Sequence, residues 1–450
     1  MSLVSKSWTN VANEVLYKEV KLTPQNIMRA NEAIIGQPGL RKLVKVLYLG
    51  RSATPTVDSW FSSVLMCIIL ALTSAHTLCV ENQSLEVLLH QLGSQTLVHT
   101  TSIPPNVVVF YSPRPHTASS LLRMHQLRSL KVNFSRYVHY WDADSVNAAF
   151  SGCVSKVTDL QLYNTSQFTA TLLKTLLKSC PDLTTFVMEQ QCTDRYWRGT
   201  LRYADIIAAL EPVARQLKTV AIGSFSEAID QNWRVWHIVN STTLLGTESP
   251  TPQVNMGHFT ALKHLELPLR AITNPREPNV TDLFTVPPSI EVLSFYHVSH
   301  STLKILVRKK GLLDTVLPQL QQCLPSLKHL HFRVNGGKNL DRIDGSGWLS
   351  KYLDNRRRFR EDMRIFTVDP SAKGKAAQGF PPEDTEVLED PRMYKYVLSK
   401  IDVPELQERF AEHGVKISFD GVCGEGGEEI AVGMAVGKTR NPEWWTGLWE

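Results

Sequence analysis

Apolar residues recur along this chain in units of the form Leu-x-x-Leu-x-Leu. Two stretches show the pattern most plainly, Phe259-Thr-Ala-Leu262-Lys-His-Leu265-Glu-Leu267 and Leu324-Pro-Ser-Leu327-Lys-His-Leu330-His-Phe332. Weaker versions stand at Val44/Leu47/Leu49, Ala75/Leu78/Val80, Leu127/Leu130/Val132, Val157/Leu160/Leu162, Leu183/Phe186/Met188, Leu217/Val220/Ile222 and Ile290/Leu293/Phe295. The alternation at the end of each unit predicts a strand with its apolar residues on one face and the intervening residues on the other. A further strand is expected around Val108 and Phe110. With it, the middle residues of successive strands stand 22 to 45 positions apart. Helical periodicity precedes the strands at 63–73, at Leu172, Leu173, Leu176 and Leu177, and at Leu313, Val316, Leu317 and Leu320. Pro181 and Pro325 each stand two residues before the first leucine of a strand, where a helix has to stop.

One such unit cannot bury its apolar face alone, so the units must stack. The shorter spacings match leucine-rich repeats, which take about 20–29 residues each, and the longer ones require inserted loops, most clearly at 224–257. The fold expected is an α/β leucine-rich-repeat solenoid of irregular repeats, with parallel strands on the concave side and helices on the convex side. An ordinary α/β sheet of βαβ units would mimic part of the pattern. The expected organisation is an N-terminal cap over 1–22, a repeat array over 23–340 and a C-terminal extension over 341–450. In that extension 371–384 reads as an exposed loop, 356–364 as a charged amphipathic segment, 402–413 as a helix and 415–419 as a strand, with Trp444, Trp445 and Trp449 close to the end. Residues between the inward leucines form the exposed sheet surface, among them Ser129, Thr185, Val187 and Ser294. Solenoids usually bind on that surface. The candidate target-binding set is Lys131, Asp159, Gln161, His264, Glu266, Tyr296, His329 and His331.

Composition changes this picture little. With 43% hydrophobic and 20% charged residues the chain can bury a large core, and a net charge of +5 over 450 residues is too weak to imply nucleic acid. Seven cysteines without paired spacing read as reduced intracellular thiols, with Cys67, Cys79, Cys180 and Cys323 in apolar surroundings that suggest core packing. The most hydrophobic run, 60–80, has an uninterrupted apolar core only over 64–72, short of the ~20 residues a span needs, so a buried helix is expected and no membrane. The N-terminus carries no long apolar run, which points to a cytoplasmic or nuclear protein in which the Asn-x-Ser/Thr sites at Asn82, Asn133, Asn164, Asn240 and Asn279 are incidental.

Catalytic chemistry is hard to find. Gly433-Met-Ala-Val-Gly437-Lys438-Thr439 is one residue short of a phosphate-binding loop, and Pro442 follows too soon for the supporting helix. His329 and His331 flank Leu330 on one strand face, without the nearby Cys, Asp or Glu that would complete a four-ligand metal set. No Gly-x-Ser-x-Gly elbow, His-Glu-x-x-His or paired-cysteine motif occurs. The expectation is a binding protein, not an enzyme, with no cofactor or metal.

At the N-terminus, Val4, Trp8, Val11 and Val15 fall on one face of a helix over 2–16, and 17–22 alternates as a strand closed by Pro24. Read from the residues alone this is a cap on the first repeat. The stretch Leu3-Val4-Ser5-Lys6-Ser-Trp8, followed by Ala12, Leu16 and Tyr17, also resembles the second half of an F-box, in the form found in fungal F-box proteins with leucine-rich repeats. The first half of that module, a Leu-Pro-x-Glu segment and an apolar helix, would lie upstream of Met1. The resemblance implies a substrate-recognition subunit of a cullin-RING ubiquitin ligase of the SCF type. Leu3, Val4, Trp8, Val11 and Leu16 would then meet the ligase adaptor subunit, and the repeats would hold an unknown protein target. The alternative is a repeat scaffold with no ligase link.

Overall fold

The computed structural model describes residues 6–50, 59–72, 74–81, 104–109, 113–134, 141–163, 168–191, 203–225, 256–272, 285–298, 322–334 and 403–420, with a few single positions such as Glu86, Thr165, Leu201 and Leu317. Among them, strands and helices alternate. The strands are β1 (Glu19–Leu22), β2 (Val46–Leu49), β3 (Thr77–Val80), β4 (Asn106–Val109), β5 (Ser129–Asn133), β6 (Asp159–Tyr163), β7 (Thr185–Gln191), β8 (Thr219–Phe225), β9 (His264–Pro268), β10 (Val292–Val298), β11 (His329–Val334) and β12 (Lys416–Asp420). The helices are α1 (Lys6–Lys18), α2 (Ile27–Gly36), α3 (Pro38–Leu43), α4 (Ser59–Ala71), α5 (Pro115–Leu122), α6 (Ala143–Phe150), α7 (Ala170–Lys178), α8 (Tyr203–Leu210) and α9 (Val403–Glu412).

The twelve strands form one sheet in chain order, and the pairings from β1 to β9 and from β10 to β12 are parallel. This is an α/β repeat solenoid, leucine-rich-repeat-like, and the chain falls into two compact units. The first takes in Met1–Glu266, Thr285–Ile290 and Ala435–Glu450, the second Leu267–Phe284 and Glu291–Met434.

In the first unit the register brings the predicted leucines into two columns. One runs through Leu47, Leu78, Val107, Leu130, Leu160, Phe186 and Val220, the other through Leu49, Val80, Val109, Val132, Leu162 and Met188, and every member is buried. Each such side chain contributes about 1.5–3 kcal/mol on leaving water, which is why isolated units would not hold. A repeated backbone device sets the register. Thr158 and Asp159 both donate to the Arg128 carbonyl, Thr184 and Thr185 to that of Thr158, Lys218 and Thr219 to that of Thr184, and Lys263 and His264 to that of Lys218, all at 2.8–3.0 Å. Each repeat thus begins by docking on the carbonyl just before the preceding strand.

Helix α7 shows why the outer layer holds. Thr169 caps it, its Oγ1 accepting from the Leu172 amide at 3.2 Å, and Leu172, Leu173, Leu176 and Leu177 are all buried. An aromatic cluster of Phe134, Trp141 and Phe168, with ring centroids 4.8–5.4 Å apart, fills the space ahead of α7. The Trp141 indole N–H donates to the Pro113 carbonyl at 2.8 Å, so its polar end is satisfied inside the core.

In the second unit β10, β11 and β12 pair in parallel, with Leu293, Leu330 and Ile417 in one buried column. Helix α9 packs on β12, and Gly414, at φ 71°, makes the left-handed turn between them. The strand-and-helix unit therefore returns at 403–420, past the point where the leucine rhythm stops at Gly336.

Several sequence expectations are corrected. The further strand expected around Val108 and Phe110 is β4, with Val107 and Val109 inward, and Phe110 lies outside the described residues; the run Asn106-Val-Val-Val has no alternation to fix its face from sequence. The N-terminal helix is described over Lys6–Lys18, and Val11 and Val15 on it are exposed, not buried against the first repeat. Cys67 is exposed, and Cys79, though buried, lies between the inward Leu78 and Val80 and so on the opposite face of the sheet. The 60–80 run divides into α4 and β3, with Leu65, Ile68 and Ile69 buried, and no helix among the described residues is long and apolar enough to cross a membrane. The features placed at 356–364, 371–384, 433–439 and 444–449, and most of the helix expected at 313–320, lie outside the described residues.

Candidate functional site: the outward rows of the sheet

The outward residues of a parallel, in-register sheet line up strand by strand. In the first unit one row runs Ser129, Asp159, Thr185, Thr219, His264, and the next runs Lys131, Gln161, Val187, Ala221, Glu266. Toward the start, Lys21, Tyr48 and Cys79 continue the second row. Five of the predicted binding residues, Lys131, Asp159, Gln161, His264 and Glu266, therefore share one face.

Their centre is a hydrogen-bonded chain on β5 and β6. The Ser129 hydroxyl donates to Asp159 Oδ2 at 2.8 Å, and Gln161 Nε2 donates to both Asp159 oxygens at 3.1 and 3.0 Å. The Tyr163 hydroxyl in turn donates to Gln161 Oε1 at 2.8 Å. Asp159 thus accepts from neutral donors on β5 and β6. Beside it, burial pulls the Lys131 ammonium below its ordinary value, and the Asp159 carboxylate opposes that pull. The result is a side-chain array fixed by its own hydrogen bonds.

Not every outward residue is exposed. Gln161, Val187, Ala221 and Glu266 are buried, at 5%, 1%, 1% and 6% exposure. The register gives the reason for the middle two, which are short side chains sunk between the longer Gln161 and Glu266. His264 and Glu266 are engaged in further interactions. Ser129, Asp159, Thr185, Thr219 and His264 of the first row are half-buried, as are Tyr48, Val108 and Lys131 of the second, and Lys21 is exposed.

In the second unit His329 and His331 share the outward face of β11, their rings 5.8 Å apart and tilted by 25°. His329 is buried, not exposed as expected, because Nε2 is hydrogen-bonded to Ser418 Oγ at 2.7 Å across the β11–β12 pair. Ser294, on β10, is buried as well. Tyr296 is placed on β10 by its backbone, and its side chain lies outside the described residues. An open cleft of about 520 Å³ lies at the start of these strands, lined by Glu291, Leu324, Lys328, His413 and Val415, with Lys328 paired to Glu291 at 2.6 Å. Among the described residues no three His, Cys, Asp or Glu side chains converge to hold a metal.

The residues matched to the F-box are only partly described. Leu3 and Val4 lie outside the described residues, and Trp8 is placed on α1 by its backbone alone. Val11 and Leu16 stand on α1 at 54% and 69% exposure, joined by Val15 at 70%. Sequence reasoning missed the polar chain through Tyr163, and it missed the Lys21–Glu81 pair on β1 and β3, at 3.3 Å. The alternation of β6 would have found Tyr163. Nothing in the sequence marks a contact between residues 60 positions apart.

No protein-family model matches this chain, and no curated protein matches it. Among solved structures it is similar to a chain in a crystal structure of a TLR13–ssRNA13 complex, at 10% identity and a TM-score of 0.23. That match covers 66% of this chain and 55% of the other, so it spans about half of that chain's length.

Proposed function

We propose that this chain is a non-enzymatic repeat scaffold that captures a protein partner on the outward rows of its sheet. The observation that carries the reading is the Tyr163–Gln161–Asp159–Ser129 chain, a polar array held rigid on a face whose opposite side is the leucine core. Fixed side chains lose little entropy on binding, which favours recognition over mere solvation. A photo-crosslinking residue in place of Lys131 should trap a discrete partner in cells. The same probe in place of the exposed Lys174, on the helix side, should trap none. Equal trapping at both positions overturns the reading.

A second reading is supported by the exposed Val11, Val15 and Leu16 on α1. In it, this helix attaches the scaffold to a ubiquitin-ligase adaptor, as the F-box resemblance implies, and the chain supplies proximity between ligase and target. Co-purification with the adaptor that is lost in Leu16→Glu would support it. No adaptor bound to the native chain, or to one extended upstream by a Leu-Pro-x-Glu helix, removes it.

A further inference from the structure

At the start of the outward face, Lys21 crosses β2 to reach a carboxylate beyond β3. Its Nζ stands 3.3 Å from Glu81 Oε2. The ladder extends one step past the strands here, with the Gly50 amide donating to the Leu22 carbonyl and the Glu81 amide to the Leu49 carbonyl, both within 3.0 Å. By alternation Gly50 and Glu81 therefore belong to the row after Tyr48 and Cys79. Gly50 leaves the passage open, since a Cβ there would lie 2.8 Å from Lys21 Cε. Tyr48 borders it, its hydroxyl pushed up to about 12 by burial and by the nearby Cys79, Glu19 and Glu81. Lys21 thus lies over the buried Gly50, with Tyr48 to one side and the Glu81 carboxylate at its end.

The carboxylate is only half used. Glu81 Oε2 faces Lys21, while Oε1 is buried and has no hydrogen-bond partner among the described residues. A buried carboxylate oxygen without a donor is costly and points to a missing partner. An ammonium is a compact point charge, whereas a guanidinium presents a planar fork that engages both oxygens of a carboxylate. Lys21 is also 46% exposed, so its hold on Glu81 is that of a surface pair and is readily exchanged. The ring of Tyr48 beside the carboxylate favours a cation further, as does the exposed Glu19 on β1.

We infer that Tyr48, Gly50 and Glu81 form a notch for an arginine side chain of the protein partner, with Lys21 as a weaker internal stand-in. This rests on the outward face being the binding surface, and it names the chemistry that one part of that face selects. The probe is the capped tripeptide acetyl-Gly-Arg-Gly-amide, followed by saturation-transfer NMR on the full chain, with the lysine and citrulline tripeptides as controls. Lys21→Ala should bind the arginine peptide about fivefold more tightly than the native chain, and the lysine peptide more weakly than the arginine one. It should leave the citrulline peptide unsaturated, and adding Glu81→Gln should abolish the arginine signal.

Arginine and citrulline peptides bound alike, or no arginine signal in Lys21→Ala, overturns the inference. Lys21→Arg supplies a second measurement, because a guanidinium in cis should fill the notch and raise Tm by about 1 °C or more, and an unchanged Tm also overturns it. If the notch alone is wrong, cross-links at Lys131 persist. If the outward face is not the binding surface, those cross-links are absent as well.

Discussion

Helices α1 and α7 carry the same kind of apolar stripe and meet opposite fates. On α7 all four leucines are buried, and the helix packs between α6 and α8. On α1 the stripe through Val11 and Val15, with Leu16 beside it, stays in water, although the helix touches α3 and β1. Period and residue type do not distinguish the two. What differs is the neighbourhood, since α7 has a helix on each side and α1 does not. An apolar stripe left uncovered adds little to stability, whereas a covered one contributes to it.

The sharpest way to break this contrast is to truncate one side chain from each stripe. Leu173→Ala should cost about 2–5 kcal/mol, read from urea denaturation, because it leaves a cavity that the packed neighbours cannot fill. Leu16→Ala should change the same midpoint by less than about 0.5 kcal/mol. A large loss at Leu16 would mean that α1 is covered after all, and a small loss at Leu173 would mean that α7 is not part of the cooperative core.

The legible part of the fold was the part that bears load. Nine strands could be placed from leucine spacing because one face of each is buried, and burial of one face is what creates the alternation. The faces of Val107, Val108 and Val109 could not be read for the converse reason, since three consecutive valines carry no phase. β12 went uncounted among the repeats because 335–402 separates it from β11, although its register with β11 is as regular as the rest. Of the candidate site, the rows followed from alternation, but two features did not. The burial of Val187 and Glu266 depends on side-chain lengths across neighbouring strands. The direction of the α1 stripe depends on what stands beside the helix, which the spacing of apolar residues does not encode.

The thiols offer a smaller test of the same contrast. Cys180, immediately past the end of α7, is fully buried, and burial, with Cys153 nearby, pushes its thiol up to about 12 from an ordinary 9.0. The folded chain keeps this proton where the unfolded chain has lost it. Stability is therefore full below the unfolded value and falls as the pH rises from about 9 toward about 12. Denaturation midpoints measured across that window should decline, and Cys180→Ala should flatten part of the decline. Cys67 is exposed on α4 and should be alkylated in the folded chain under conditions that spare Cys180.

Because the twelve strands follow chain order, each one leans only on the strands that precede and follow it in the sequence. The connection between two rungs can lengthen without disturbing any other rung, and those in this chain already vary widely. An outward row built this way can be changed one position at a time, and an exchange at Lys131 or Glu81 leaves the leucine columns, and so the fold, as they stand.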